Sequence, residues 1–132
     1  MDMSMFTSFE GRINRQKWWL GLLALVILQW IIYFVIGLIF GGAMMAGIDP
    51  DNPEAAMQSM RVIAIPLVIL TLVFLWPTLA LYAKRWHDRG KSGWWTLIML
   101  VPLVGPIWLL VECGFLRGTE GPNQYGPDPL AG

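Results

Sequence analysis

Ser92 to Val111 reads SGWWTLIMLVPLVGPIWLLV, a run without a charged side chain, and the fold turns on how it is read. A helix rising about 1.5 Å per residue needs roughly 20 apolar residues to cross a hydrocarbon core about 30 Å thick. The run just reaches that length. At its centre stand Pro102, Gly105 and Pro106, which bend or end helices. One reading is a single kinked helix from Gly93 to Val111 that carries the tail to the far side. The other is two short helices folding back at Leu103 to Pro106, which returns the tail to the cytoplasm. Ser92 to Val101 covers only about 15 Å of helix, half a bilayer. Non-helical backbone at that depth needs protein or water to satisfy its polar groups, and on this ground alone the single helix is favoured.

Two further windows, Trp18 to Ile48 and Val62 to Ala83, are also free of charge. The 132 residues are 56% hydrophobic and 14% charged, a balance foreign to most soluble domains. The predicted class is therefore all-α, a polytopic membrane protein with three spanning helices, or four segments if the third is a broken hairpin. One membrane domain covers 1–132: an interfacial collar (1–17), helix 1 (18–47), an outer loop (48–54), helix 2 (55–84), a polar cytoplasmic loop (85–92), helix 3 or a hairpin (93–112), and an extended Gly- and Pro-rich tail (113–132).

Nine basic and nine acidic residues cancel, so only their placement informs. Arg12, Arg15 and Lys17 precede the first window, Arg61 alone lies between the first and second, and Lys84, Arg85, Arg89 and Lys91 crowd before the third. The positive-inside rule then puts the N-terminus and the second loop in the cytoplasm, with the acidic IDPDNPE turn (Ile48 to Glu54) outside. The first apolar run exceeds a signal-peptide core of about 7 to 15 residues, so it is expected to remain as an anchor. Cys113 is the only cysteine, which rules out an internal disulfide and a multi-cysteine metal site.

Asn14 is positioned to cap the first helix, and Trp18 and Trp19 suit the headgroup boundary. Gly37 and Gly41 stand four apart, a spacing that lets helix backbones approach closely; they are the candidate helix-packing residues, for contact within the chain or with a second one. Pro66 and Pro77 should kink the second helix.

The polar chemistry is concentrated in KRWHDRGKSGWW, Lys84 to Trp95. An imidazole beside a carboxylate suggests acid–base work. Adjacent helical residues point about 100° apart, however, so Asp88 cannot orient the His87 ring without a break in the helix. One histidine without a second nearby carboxylate does not complete a metal shell. Gly90-Lys91-Ser92 lacks the upstream glycine and strand of a phosphate loop. No catalytic residue, metal, cofactor or nucleic-acid partner is expected, and the chain is expected not to be an enzyme. Three readings stand side by side: an anionic-headgroup site in which Arg85, Arg89 and Lys91 meet phosphate while tryptophans fix depth, topogenic charge alone, or contact with a protein partner. The candidate contact residues for lipid or partner are Arg12, Arg15, Arg85, His87, Asp88, Arg89, Lys91, Ser92, Trp94 and Trp95.

Several segments carry a resemblance: Phe9-Glu10-Gly11-Arg12-Ile13-Asn14-Arg15, Arg85-Trp86-His87-Asp88-Arg89-Gly90-Lys91-Ser92-Gly93-Trp94-Trp95, Pro102 with Gly105, and Gly118-Thr119-Glu120-Gly121-Pro122-Asn123-Gln124-Tyr125-Gly126-Pro127-Asp128-Pro129. In this order they resemble the motifs of the bacterial inner-membrane family catalogued as domain of unknown function 805, with Trp86 where a leucine is more usual. The resemblance implies a small multi-pass protein of the bacterial cytoplasmic membrane without an enzymatic activity or cofactor to carry across. It also implies that the N-terminal Gly-Arg segment, the His-Asp loop and the tail form one polar face, which raises the hairpin reading. The expected role is a non-enzymatic accessory or scaffold subunit of a membrane complex, touching membrane lipids and another membrane protein or a second copy of itself. The alternative is a small transporter or channel component, against which the windows lack the charged residue an ion path normally shows.

Overall fold

A computed structural model describes residues 3–46 and 49–130. Residues 47 and 48, where the first predicted helix meets the outer loop, lie outside the described residues, as do 1, 2, 131 and 132. The elements run α1 (Ser4–Thr7), α2 (Arg15–Ala46), α3 (Pro53–Asp88), a 3₁₀ helix (Gly93–Leu100), α4 (Val104–Leu109) and a π-helical end (Leu110–Phe115). Among the described residues there is no strand; the one β-type contact is an isolated bridge between Asn123 and Gly126.

The chain forms two compact units, Leu25–Leu75 and the combination of Met1–Ala24 with Trp76–Gly132. In the first, the side chains of Leu25, Leu70 and Phe74 are buried while Phe34, Leu38, Ile39, Ile65 and Leu72 face outward. Both long helices are apolar and long enough to cross a membrane, and only 6% and 11% of their most apolar windows are buried inside the molecule. A core helix of a soluble protein would bury most of that surface, so these faces require apolar surroundings. A Cβ placed on Gly37 or Gly41 would meet nothing within 4 Å. Among the described residues, the glycine pair thus faces open space.

α2 begins where the Asn14 side-chain oxygen accepts the Lys17 N–H at 2.8 Å, satisfying one orphan donor of the first turn as its capping residue type suggests. α3 opens on Pro53 with Glu54 in its first turn, a start in which the missing proline N–H costs nothing and the carboxylate suits the helix dipole. It continues through Pro66 and Pro77 to Asp88. The expected loop over 85–92 is therefore corrected in its first half: Arg85 to Asp88 are the last turn of a helix. Gly90 at φ 78° ends it, with Lys91 N–H on the Trp86 carbonyl and Gly90 N–H on that of His87, both 2.9 Å. Those two bonds are the glycine-dependent C-terminal cap.

The third window does not form the single spanning helix expected on physical grounds; it folds back as in the other reading, but the turn expected at Leu103 to Pro106 falls earlier, because Val104 to Pro106 already form the first turn of α4. Ser92 caps the 3₁₀ arm, its Oγ accepting the Trp94 N–H at 3.3 Å. The turn lies at Val101 to Leu103, where Leu103 has φ 65° and ψ −56°, and Val104 N–H reaches the Pro102 carbonyl at 2.7 Å. This is a γ-turn of the strained hand, which for a bulky residue costs on the order of 1–3 kcal/mol. Gly105 lets the arms close, since a Cβ there would strike the Ile98 carbonyl.

Gly105→Ala is expected to lower stability by about 1–3 kcal/mol through that collision. Gly37→Ala, with open space around it, should leave the melting point in detergent unchanged; equal melting points for the two variants would contradict the closed hairpin.

Candidate functional site

The last turn of α3 points its charges inward. The Asp88 carboxylate receives two guanidinium groups: Arg12 reaches Oδ1 through Nε at 3.0 Å and Nη2 at 2.9 Å, and Arg85 Nη1 donates to Oδ2. The side chains of Arg12 and Asp88 are 1% and 4% exposed, and that of Arg85 is 0% exposed. Two cations on one anion leave an excess positive charge in a dry place, and guanidinium donors beyond those the carboxylate can take. The backbone carbonyls of the tail absorb the excess. Arg12 Nη1 donates to Gly121 (2.8 Å) and Gly126 (3.1 Å), and its Nη2 to Thr119 (2.6 Å). Arg85 Nε donates to Cys113 (2.6 Å) and its Nη2 to Leu116 (2.6 Å). Thr119 N–H closes back on the Asp88 carbonyl at 2.6 Å.

The tail can approach this closely because residue 118 is glycine; a Cβ there would enter the Asp88 carboxylate. A tight turn, Asn123 paired with Gly126 through bonds of 3.0 and 3.1 Å, presents Asn123 Nδ2 to the His87 carbonyl at 2.9 Å. Tyr125 stacks on the His87 ring at 4.0 Å with 4° between planes. His87 Nδ1 lies 3.0 Å from the Gly11 carbonyl; since a carbonyl only accepts, that nitrogen is assigned the proton. Asp88 does not orient His87, in keeping with the helical angle between neighbours.

A second set of charges ties the hairpin base. Glu112 accepts from Lys91 Nζ at 2.6 Å and Arg89 Nε at 2.9 Å, and Arg89 also donates to the Arg117 carbonyl. Burial works against the Glu112 charge, but the bonds and charges of Lys91 and Arg89 outweigh it and hold the carboxyl below its usual range. Lys91 Nζ lies 4.9 Å from the Trp95 ring centroid, within cation–π reach. Beside this set, burial pushes the Cys113 thiol up to about 12, so it stays protonated and a poor nucleophile.

Of the ten candidate contact residues, Arg12, Arg85 and Asp88 are therefore corrected: their side chains are buried and bonded within the chain rather than turned out to a headgroup or partner. His87 is covered by Tyr125, and Ser92 serves as a cap. Arg15 is exposed, donating to the Phe115 carbonyl at 2.8 Å. Arg89 and Lys91 are partly exposed, and Trp94 and Trp95 face outward. Reading along the chain missed Glu112, Gly118 and Asn123. Glu112 carried a usable signal, being the carboxylate that ends an apolar run behind a cluster of cations. Among the described residues no three His, Cys, Asp or Glu side chains converge as a metal site would require.

Residues 6–127 match the family model described as protein of unknown function (DUF805). Inner membrane protein YhaH of Escherichia coli K12 is 33% identical over 127 residues, covering 94% of this chain and 88% of its own length. Inner membrane protein YhaI of the same strain is 34% identical over 128 residues, with 96% and 90% covered. The uncharacterized protein YiiR is 29% identical over 146 residues, with 92% and 85% covered. No solved structure matches the chain. The names of the first two relatives and the outward apolar faces of α2 and α3 place the chain in the inner membrane.

Asp88→Asn leaves two buried guanidinium groups without their anion and is expected to cost about 3–5 kcal/mol, read as a lower melting point and tail cleavage by added protease. Glu112 is expected to show a pH signature. Its folded pKa lies below the unfolded value, so its ion pairs stabilise fully above the ordinary carboxylate range and fade as pH falls through the depressed value. With both cations partly exposed, each pair is worth only about 0.2–1 kcal/mol. Melting curves of wild type and Glu112→Gln should differ near neutral pH and converge in acid; a gap independent of pH would contradict the pairing.

Proposed function

This chain belongs to the DUF805 family, and on that premise we propose that it is a multi-pass, non-enzymatic accessory or scaffold subunit that packs its outward helix faces against another membrane protein. The N-terminus lies in the cytoplasm in this reading, as the clustering of Arg12, Arg15, Lys17, Arg85, Arg89 and Lys91 favours. The observation that carries the proposal is the internal use of the polar cluster. The groups capable of acid–base or anion chemistry, Asp88, Arg12, Arg85 and His87, are each bonded to other parts of the chain. A catalytic or transport site would hold such groups toward a substrate path.

What remains outward is apolar helix surface with an open glycine pair, the geometry in which a second helix can approach closely. Arg15 and the partly exposed Arg89 and Lys91 contact anionic headgroups in this reading, and Trp94 and Trp95 set depth at the interface.

Purification in mild detergent followed by native mass spectrometry tests this. A stoichiometric second membrane protein is expected with the wild type and is lost in Gly37→Leu/Gly41→Leu, whose own melting point should not fall because both positions face open space. A monomer without a partner would contradict the proposal, and a pure homo-oligomer that passes ions in liposomes would favour a channel component instead.

A further inference from the structure

Resting on the reading that α2 and α3 cross the membrane, we propose that Gly93–Phe115 is a re-entrant wedge. It enters the leaflet at which α3 ends, turns at Leu103 among the acyl chains near the midplane, and leaves on the side it entered.

Entry and exit lie at one level. Glu112 binds both Lys91 and Arg89, so the start and end of the segment are held together. By Gly93 the chain has already reversed: a Cβ there would meet Ala83, five residues before the end of α3, at 2.8 Å. The arms are also too short to cross. The 3₁₀ arm, Gly93–Leu100, rises about 2 Å per residue and extends about 16 Å. The returning arm, from Val104 to Phe115, covers about 18 Å at 1.5 Å per residue. Each is about half of a 30 Å hydrocarbon core.

Most N–H groups of the apex backbone are satisfied within the chain. Val101 N–H donates to Ile98 at 3.0 Å, Val104 N–H to Pro102 at 2.7 Å and Gly105 N–H to Val101 at 2.9 Å, while Pro102 and Pro106 have no N–H to satisfy. These bonds and prolines account for every backbone nitrogen from Val101 to Pro106 except that of Leu103, so the irregular stretch leaves few N–H groups of the kind a bilayer penalises. Leu103 supports the same conclusion. It occupies a backbone conformation natural to glycine while its side chain is 81% exposed. In water, glycine or asparagine would relieve the strain without loss; in lipid, the leucine side chain is what holds the tip there.

The occupant is lipid rather than a protein groove because apolar exposure surrounds the tip. Leu97, Leu100, Leu103, Val104, Ile107 and Trp108 are all outward, whereas a groove would cover one stripe. At the base, Trp94 is 78% exposed and Lys91 lies over Trp95, the residue types of a headgroup boundary.

Single nitroxide labels test the wedge in a Cys113→Ala background, reconstituted in phosphatidylethanolamine–phosphatidylglycerol vesicles. Labels on Trp94→Cys, Leu100→Cys, Leu103→Cys and Ile107→Cys are compared with Leu72→Cys on α3 by power saturation with oxygen and a water-soluble nickel chelate. At Leu100, Leu103 and Ile107 high oxygen and low nickel accessibility is expected. Depth should be shallow at Trp94, greatest at Leu103 at about half of the 30 Å core, and smaller again at Ile107. Nickel access at Leu103 would place the tip in water, and low access to both reagents would place it in a protein contact; either result overturns the proposal. Depth that increases steadily from Trp94 to Ile107 would mean a crossing helix, and also overturns it. If the Leu103 label disturbs the turn, Leu100 and Ile107 give the same decision. Leu72 in lipid with a failed Leu103 profile rejects the wedge alone; Leu72 outside lipid rejects the spanning reading and the wedge with it.

Discussion

The carboxylate of Asp88 lies between the guanidinium groups of Arg12 and Arg85, all three side chains shut away from water. Charges in such a place are tolerated only when nearly every donor and acceptor is matched. One carboxylate cannot match two guanidinium groups, so the remaining donors need carbonyl oxygens, and these come from Cys113, Leu116, Thr119, Gly121 and Gly126. The tail is therefore not free to lie elsewhere. It must return to the end of α3, and the apolar run before it must turn back. The path of the last forty residues is in this sense a consequence of one buried anion.

That consequence overrides a preference that operates locally. Ser92 to Val111 is apolar and long enough for a spanning helix, and a helix would satisfy its own backbone. Two things defeat it. Pro102 and Pro106 remove N–H groups where a continuous ladder would need them, and the ion pairs of Glu112 with Arg89 and Lys91 hold together two points that a crossing helix would separate by about 30 Å. Leu103 shows what the turn demands: a bulky residue in a strained backbone conformation.

The same arrangement alters the meaning of the basic cluster. Its density suggests a binding face, yet its innermost members act as fasteners between the N-terminal segment, α3 and the tail. What is left for other molecules is the outer rim of Arg15, Arg89, Lys91, Trp94 and Trp95, together with helix faces that look outward.

The membrane class, the two long helices, the N-terminal cap at Asn14 and the inability of Asp88 to serve His87 can all be read along the chain. Each follows from a run length, a residue type or an angle between neighbours, all of them local quantities. The resemblance of the spaced motifs also pointed to the N-terminal segment, the His-Asp region and the tail as one polar face. Three-dimensional contacts alone reveal that Arg12 meets Asp88, 76 residues away, that Glu112 clasps the hairpin, that Gly118 is needed to admit the carboxylate, and that Gly37 and Gly41 face open space among the described residues. Contacts of that kind depend on where the chain returns, and return is set by the global matching of buried charges, which no window of sequence contains.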